Sequence, residues 1–259
     1  MTAEPAMTAV GTGIPQAEFP EETIPAFEGT PYPKMPPSKP PVVEGDATVT
    51  TNSYGLPEGT GYNSSVAFMV SNPNKDLAIQ DLQYRVTLKS GDRTLVTSDG
   101  EDRVDIPPGL TRLVVFTSNE VPVNKKPNAA TVRVYPTQDI YVMPEMVPEQ
   151  SQWKVSNEEV QCTEGLVQCE LIGDMTWTGK DPQSGLVVDA LVRAGSGASG
   201  PILAAGSGGA STEQVAQGDT VPFTVTLIGF EQPKDEGGAV PPKGPTKVEV
   251  YVESSVASP

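Results

Sequence analysis

Two stretches decide the fold: VAFMVSNPNKDLAIQDLQYRVTLKSG at residues 66–91 and GDMTWTGKDPQSGLVVDALVRAG at residues 173–195. Each runs from an alternating, strand-like segment through a polar break into a second alternating segment. Apolar residues at every second position are typical of a half-buried strand. The two stretches therefore predict a unit of paired strands that the chain uses twice.

The first predicted unit spans residues 45–135. Its break, NPNKD at 72–76, carries Asn, Pro and Asp where side-chain oxygens can close local hydrogen bonds, which favours a turn. A hairpin about Gly91 follows, and a Pro-Pro-Gly turn precedes a later strand. Four apolar residues of the hairpin share one face at period two: Leu82, Tyr84, Val86 and Leu88.

The second predicted unit spans residues 153–253 and repeats this order of strands and turns. Aligning Gly109 with Gly218, and Tyr135 with Tyr251, gives separations of about 109 and 116 residues, and loops absorb such a difference. One unit used twice is the interpretation that this spacing favours.

The composition predicts sheets without helices to cover them. Charged residues make up 19% of the 259 residues, there are 25 Gly and 27 Pro, and runs of helix-forming residues are hard to find. Each sheet must then bury its apolar face against another sheet. The predicted fold class is all-β: two tandem immunoglobulin-like antiparallel β-sandwiches preceded by an extended Pro-rich arm. The predicted divisions are an arm at 1–44, sandwich 1 at 45–135, a Pro-rich linker at 136–152, sandwich 2 at 153–253 and a tail at 254–259.

The arm contains ten prolines, which lack the N–H that a sheet ladder needs. Phe19, Phe27 and Tyr32 are spaced along it with few other apolar residues. A solvated tether is the favoured interpretation, and an arm that docks these rings on a partner is the alternative.

The linker carries a cluster of apolar residues between its prolines. A connector that packs at the junction between the sandwiches is favoured, and a partner-binding strip is the alternative. The candidate contact residues are Ile140, Tyr141, Met143 and Met146.

Cys162 and Cys169 are the only two cysteines, and they bracket TEGLVQ. Across a short hairpin they would face each other, so a disulfide is favoured over two buried free thiols. A zinc site is not expected, because the chain has no His to complete four ligands. A disulfide would imply an oxidising compartment.

The net charge of −16 excludes a nucleic-acid or anionic-lipid partner, since no cations cluster. No apolar run is long enough to span a membrane. The first thirty residues lack the basic start and apolar core of a secretory signal. Two alternatives remain: a mature segment that begins with an added Met, or a protein that is never exported, such as a virion component.

Candidate catalytic groups are few, because the absence of His removes the usual acid/base of neutral pH. The run SDGED at 98–102 brings Asp99, Glu101 and Asp102 close together, and a solvated turn is favoured over a Ca²⁺ loop, which stays an open alternative. Trp177 is interpreted as a core residue rather than a ligand platform. The sequence predicts no enzyme, no cofactor and no metal site.

Both units resemble the FxLYD-type immunoglobulin-like domains of bacterial secreted and envelope proteins and, more loosely, the water-stress β-sandwich of late-embryogenesis-abundant proteins. The resemblance rests on residues 66–95, on PPGLTRLVVF at 107–116 and on AQGDTVPFTVTL at 216–227. It implies accessory or adhesive modules that carry no catalytic residues.

The predicted function is therefore a non-enzymatic tandem β-sandwich module of a bacterial secreted or cell-envelope protein that mediates protein–protein assembly or adhesion. Its expected partner is a protein or an assembly neighbour, and a homo-oligomer is possible within that class. The alternative is a virion structural or decoration protein whose Pro-rich arm laces onto neighbouring subunits.

Overall fold

The computed structural model describes residues 38–56, 59–100, 102–121, 125–137, 140–147, 149–162, 169–197, 199–210, 212–230, 244 and 246–256. Across these residues the chain is all-β, as the sequence predicts, with fifteen strands and two single-turn 3₁₀ helices at Pro144–Met146 and Gln150–Gln152. All of them belong to one unit, Pro36–Pro259. The arm residues Phe19, Phe27 and Tyr32 lie outside the described residues.

Strands β1 to β8 form what we call the first half of the protein, and β9 to β15 form the second half. The first-half strands are β1 (Val42–Leu56), β2 (Gly59–Ser71), β3 (Ala78–Ser90), β4 (Arg93–Thr97), β5 (Arg103–Ile106), β6 (Thr111–Val121), β7 (Ala129–Tyr135) and β8 (Tyr141–Val142). The second-half strands are β9 (Trp153–Cys162), β10 (Cys169–Trp177), β11 (Gln183–Ala194), β12 (Ile202–Ala210), β13 (Gln214–Val215), β14 (Thr220–Ile228) and β15 (Thr246–Val256).

The strands form three antiparallel sheets. Sheet 1 has the order β1-β2-β6. Sheet 2 is built around β3, which pairs with β4, β5, β7 and β8. Sheet 3 has the order β13-β11-β12-β14-β10-β9, and β15 also pairs with β11.

The pairing pattern of the first half recurs in the second. β2 lies between β1 and β6, as β10 lies between β9 and β14. β3 pairs with β4, β5 and β7, as β11 pairs with β12, β13 and β15. One further ladder, between β12 and β14, joins the strands of the second half into a single sheet.

Each half has its own apolar core. Sheets 1 and 2 enclose the first core, in which Phe68 contacts Tyr84 edge-to-face at 5.3 Å between ring centroids. The predicted period-two residues of β3, Leu82 to Leu88, are all buried there. Sheet 3 curls around the second core, in which Trp153 and Trp177 lie 4.8 Å apart. Trp177 is thus a core residue, 2% exposed.

Sheet 1 is buried on both faces, and this joins the halves. Val66 and Phe68 of β2 point into the first core, whereas Ala67 points the other way. With Leu113 and Val115 of β6, Ala67 packs against two residues of sheet 3, Leu191 and Ala205. We call this third cluster the junction core.

The break at 72–76 anchors the turn that leads into β6. The Asn72 amide nitrogen donates to the carbonyl oxygens of Leu77, Ile106 and Pro107, at 2.8–3.2 Å. Gly109, at φ 66°, donates its N–H to the Asn74 carbonyl at 2.7 Å. The equivalent turn of the second half is held in a similar way, since Gly218 donates to the Trp177 carbonyl at 2.8 Å. The Asn72 side-chain oxygen accepts from the Asn74 N–H at 3.0 Å, which is the kind of local hydrogen bond that the sequence predicts for this break.

The linker region packs against the first half. Ile140 is 5% exposed in the first core, and Tyr141 of β8 pairs with β3 while its hydroxyl donates to the Lys39 carbonyl at 3.1 Å. Met143 and Met146 are 43% and 47% exposed. Only the two methionines of this predicted contact set are therefore open to a partner. β1 begins at Val42, three residues before the predicted start of the first sandwich.

The predicted disulfide between Cys162 and Cys169 is present. Cys162 is the last residue of β9, Cys169 is the first residue of β10, and the two are register partners. The bond therefore joins the two strands at the loop end of the hairpin. Cys169 is fully buried in the second core, and Cys162 packs against it.

Reducing this bond should lower the free energy of unfolding by about 2.5 kcal/mol, because the denatured chain regains the entropy of a short closed loop. Guanidinium unfolding with and without reductant measures the difference. The double variant Cys162→Ser/Cys169→Ser is the control, since its stability should match the reduced protein and ignore reductant. Equal midpoints for the oxidised and reduced wild type would contradict the expectation.

Candidate functional site

The candidate site is a polar cavity of about 400 Å³ where the two halves meet beside the junction core. The first half contributes residues of β3, β5 and β6, and the second half contributes β11, β12 and β15. Asp105, Asp189 and Glu253 form a cluster of three carboxyl side chains on its border, beside Asp81 and Asp102. Clefts between packed units are frequent binding sites, so this cavity is the first place to look for function.

A single arginine joins the halves at this site. Arg112 is the second residue of β6 and is 8% exposed. Its guanidinium donates to the Asp105 carbonyl at 2.9 Å and to Glu253 Oε2 at 2.8 Å. The other Glu253 oxygen accepts from the Asp105 N–H at 3.0 Å. Arg112, Asp105 and Glu253 thus close a ring of hydrogen bonds between β5 and β6 of one half and β15 of the other.

Asp189 accepts a hydrogen bond from the unpaired edge of β6. β6 is an edge strand of sheet 1, so part of its backbone lacks a ladder partner. Asp189, which is 5% exposed on β11, accepts from the Val115 N–H at 3.3 Å and from the Ser207 hydroxyl. A buried carboxylate with hydrogen-bond partners costs less than an unpaired one, so these contacts hold Asp189 in place.

Burial raises the pKa of every carboxyl in this cluster. Desolvation raises the pKa of Glu253 to about 7, against the opposing effect of Arg112, and Asp105 and Asp189 add to the rise. Desolvation also raises the pKa of Asp189 to about 6 and lifts that of Asp105. One guanidinium does not compensate three buried carboxylates. The cluster therefore takes up protons near neutral pH.

Two chemical roles fit such a cluster. Carboxyls with raised pKa in a cleft are typical of general acids, but they are also found in structural networks. Here both oxygens of Glu253 and one oxygen of Asp189 bind groups of the first half. These bonds favour a structural role, in which the acids bind one half to the other.

The described residues contain neither a grouped set of metal ligands nor a helix that could cross a bilayer. Among them, no three Asp, Glu or Cys side chains are grouped to hold a metal ion. Neither 3₁₀ turn approaches the length or apolarity that crossing a bilayer with a helix requires. Of the acidic run at 98–102, residue 101 lies outside the described residues, and the Asp99 carbonyl accepts from Arg85 at 2.8 Å.

The sequence interpretation missed Arg112, Asp189 and Glu253. Two of them carried a signal, because each interrupts an apolar strand: Arg112 in LTRLVVF and Asp189 in LVVDALV. A charge in such a run must find a buried partner or reach the sheet edge. Which partners meet is set by the packing of the halves, since 141 residues separate Arg112 from Glu253.

Comparisons of the chain with protein-family models, with curated proteins and with solved structures found no match.

Lowering the pH from about 7.5 to about 5 should stabilise the protein. Glu253 binds its proton with a pKa of about 7 when folded, against an ordinary value of 4.5, so in this interval the folded state binds more protons than the unfolded chain. The stability that protonation of Glu253 contributes is fully present below pH 4.5 and is lost as the pH rises through 7. Urea unfolding across this range measures the slope.

The variant Glu253→Gln should reduce that slope, because the amide does not titrate, whereas Asp189 and Asp105, whose pKa values are also raised, keep part of it. Glu170→Gln is the matched control, since Glu170 is exposed on β10 and its removal should leave the slope in place. Identical slopes for both variants would show that Glu253 does not take up the proton.

Removing the arginine should destabilise the protein strongly. Arg112→Met leaves buried carboxylates without a counter-charge, which costs about 3–5 kcal/mol at pH 7.5. The cost should shrink at pH 5, where protons replace the guanidinium. Arg93→Met is the control, because Arg93 is exposed on β4 and does not line the cavity. Substitutions of exposed residues usually change stability by about 0.5 kcal/mol or less, so similar losses for both variants would contradict the assigned role of Arg112.

Proposed function

We propose that the chain is a non-enzymatic pair of immunoglobulin-like β-sandwiches from a bacterial secreted or cell-envelope protein, and that it mediates protein–protein assembly or adhesion. The observation that carries the proposal is the pairing pattern that both halves share. In each half one strand triplet and one second group of strands surround a core, and this supports the proposal of an immunoglobulin-like sandwich. The FxLYD type is the form of this domain that the sequence resembles.

The junction between the halves supports a scaffold role. The junction core buries Leu113, Val115 and Leu191, and the pair Arg112–Glu253 is hydrogen-bonded and largely shielded from water. Such a contact fixes the spacing of the exposed edges and loops of the two halves. A fixed spacing suits a protein that presents binding surfaces to neighbours.

The disulfide supports a location outside the reducing cytosol. Bonds of this kind persist in secreted, periplasmic and surface proteins. The Cys162–Cys169 bond closes an ordinary two-strand hairpin, and the chain has no further cysteine that could exchange with it.

Isolation of the protein from its native source after cross-linking tests the function. We expect a complex of defined stoichiometry with an envelope or surface protein, and quantitative Cys162–Cys169 oxidation by mass spectrometry without reductant. A monomer under every cross-linking condition would overturn the assembly function. Reduced thiols in the native protein would overturn the location. Hydrolytic turnover that Glu253→Gln abolishes would overturn the non-enzymatic assignment.

A further inference from the structure

A second cavity, of about 740 Å³, lies on the side of sheet 1 where β1 meets the second half. We call it the edge groove. Its floor is five consecutive residues of β1, Val49 to Ser53, and its walls include Lys126 of the first half and Leu203, Gly229 and Phe230 of the second.

The lining shows that the groove follows the edge of β1. Successive side chains of a strand point to opposite faces, so a cavity that touches five consecutive residues reaches the backbone edge, and this one extends to Thr60 and Tyr62 of the paired strand β2. Val49 packs toward the first core, whereas Asn52 accepts from the Gly229 N–H of the second half at 2.8 Å. Within the described residues, the only ladder of β1 is with β2 on its other edge.

The chemistry of the groove suits a polypeptide. A strand edge presents backbone N–H and C=O groups to whatever lies beside it. Thr50 adds a buried hydroxyl, 6% exposed as a residue, that has no hydrogen-bond partner in the described part of the chain. Buried polar groups are normally paired, so an unpaired one beside a cavity points to a missing ligand.

The groove also has a charge preference. Lys126 is exposed and is the one charged side chain among the described residues that line it. The chain as a whole carries −16, so a cation here stands out against an acidic protein. An acidic group on the ligand would complement it.

We propose that the edge groove binds an extended peptide segment of a partner protein, which adds to β1 as a further strand and places an Asp or Glu beside Lys126. Five residues of β1 offer roughly 17 Å of edge, enough for a peptide of similar length. The proposal names the partner class of the assembly function and so rests on it. Gly229 shapes the wall, because a Cβ there would lie 2.5 Å from the Leu203 carbonyl oxygen.

A library of random twelve-residue peptides, displayed on phage and selected against the oxidised full chain, tests the proposal. We expect selected peptides with alternating apolar residues and at least one Asp or Glu. A synthetic copy of a selected peptide should slow hydrogen exchange at least tenfold for those amides at 49–53 that do not donate to β2, and should leave β9 unchanged.

Two charge-matched variants locate the contact. Lys126→Glu should weaken the peptide at least tenfold, whereas Lys125→Glu, which changes the net charge equally at an exposed neighbour outside the groove, should change affinity less than twofold. Thermal melting of both variants checks that they fold alike. Equal weakening by both would leave only a general charge effect and overturn the assigned site.

Other outcomes also overturn the proposal: no peptide is enriched, the selected peptide protects a different segment, or the amides at 49–53 that do not donate to β2 already exchange slowly in the free protein. The last result would mean that the chain itself fills the groove. The native complex separates this failure from failure of the assembly function. If the native complex persists with Lys126→Glu, the assembly function is supported and the edge groove is not its contact. If no native complex forms with the wild-type protein, the assembly function is overturned, and the result of the peptide assay is judged separately.

Discussion

The fold depends on a three-stranded sheet whose middle strand is covered on both faces at its centre. In an antiparallel sheet with one side in water, every second residue is polar. β2 breaks this rule, because Val66, Ala67 and Phe68 are successive and all nearly inaccessible to water. Sheet 1 must therefore be covered twice, once by sheet 2 and once by the β11–β12 region of sheet 3. The arrangement of the whole molecule follows from that requirement.

Covering the second face removes charged and polar groups from water, and the contacts at the polar cavity offset part of that electrostatic cost. When β11 approaches β6, the unpaired backbone of an edge strand and the charged residues near it lose water. Asp189 supplies an acceptor for Val115, and Arg112 supplies a counter-charge for Glu253. The raised pKa of these acids shows that compensation is incomplete, since burial outweighs the arginine. The junction combines apolar contact, which gives most of the attraction, with polar pairs that fix which edges meet.

Local patterns predicted the parts of the fold that depend on neighbours in sequence. The period-two face of β3, the amide chemistry of Asn72 and Asn74, the glycine turns at 109 and 218, and the cysteine hairpin are all encoded within about ten residues. The bulge at Asp81, with φ 56°, was not predicted, because the Asp105 carboxyl that accepts its N–H at 2.7 Å comes from another strand. The polar cavity was missed for the same reason. Its members sit far apart in the chain, and only the contact between the halves brings them together. The run VAFMV at 66–70, which the sequence analysis interprets as alternating, carried the decisive hint, since five successive apolar residues indicate a strand covered on both sides.

The shared junction core also restricts how this protein can be divided or recombined. Cutting the chain near residue 150 would expose apolar residues of the junction core on both fragments. Ala67 and Leu113 of one fragment, and Leu191 and Ala205 of the other, would then face solvent. Each fragment would then carry an exposed apolar patch, which favours aggregation. The two halves could be transferred to another protein only if both surfaces of the junction core are transferred together. In evolution as in engineering, the pair of halves therefore behaves as one unit.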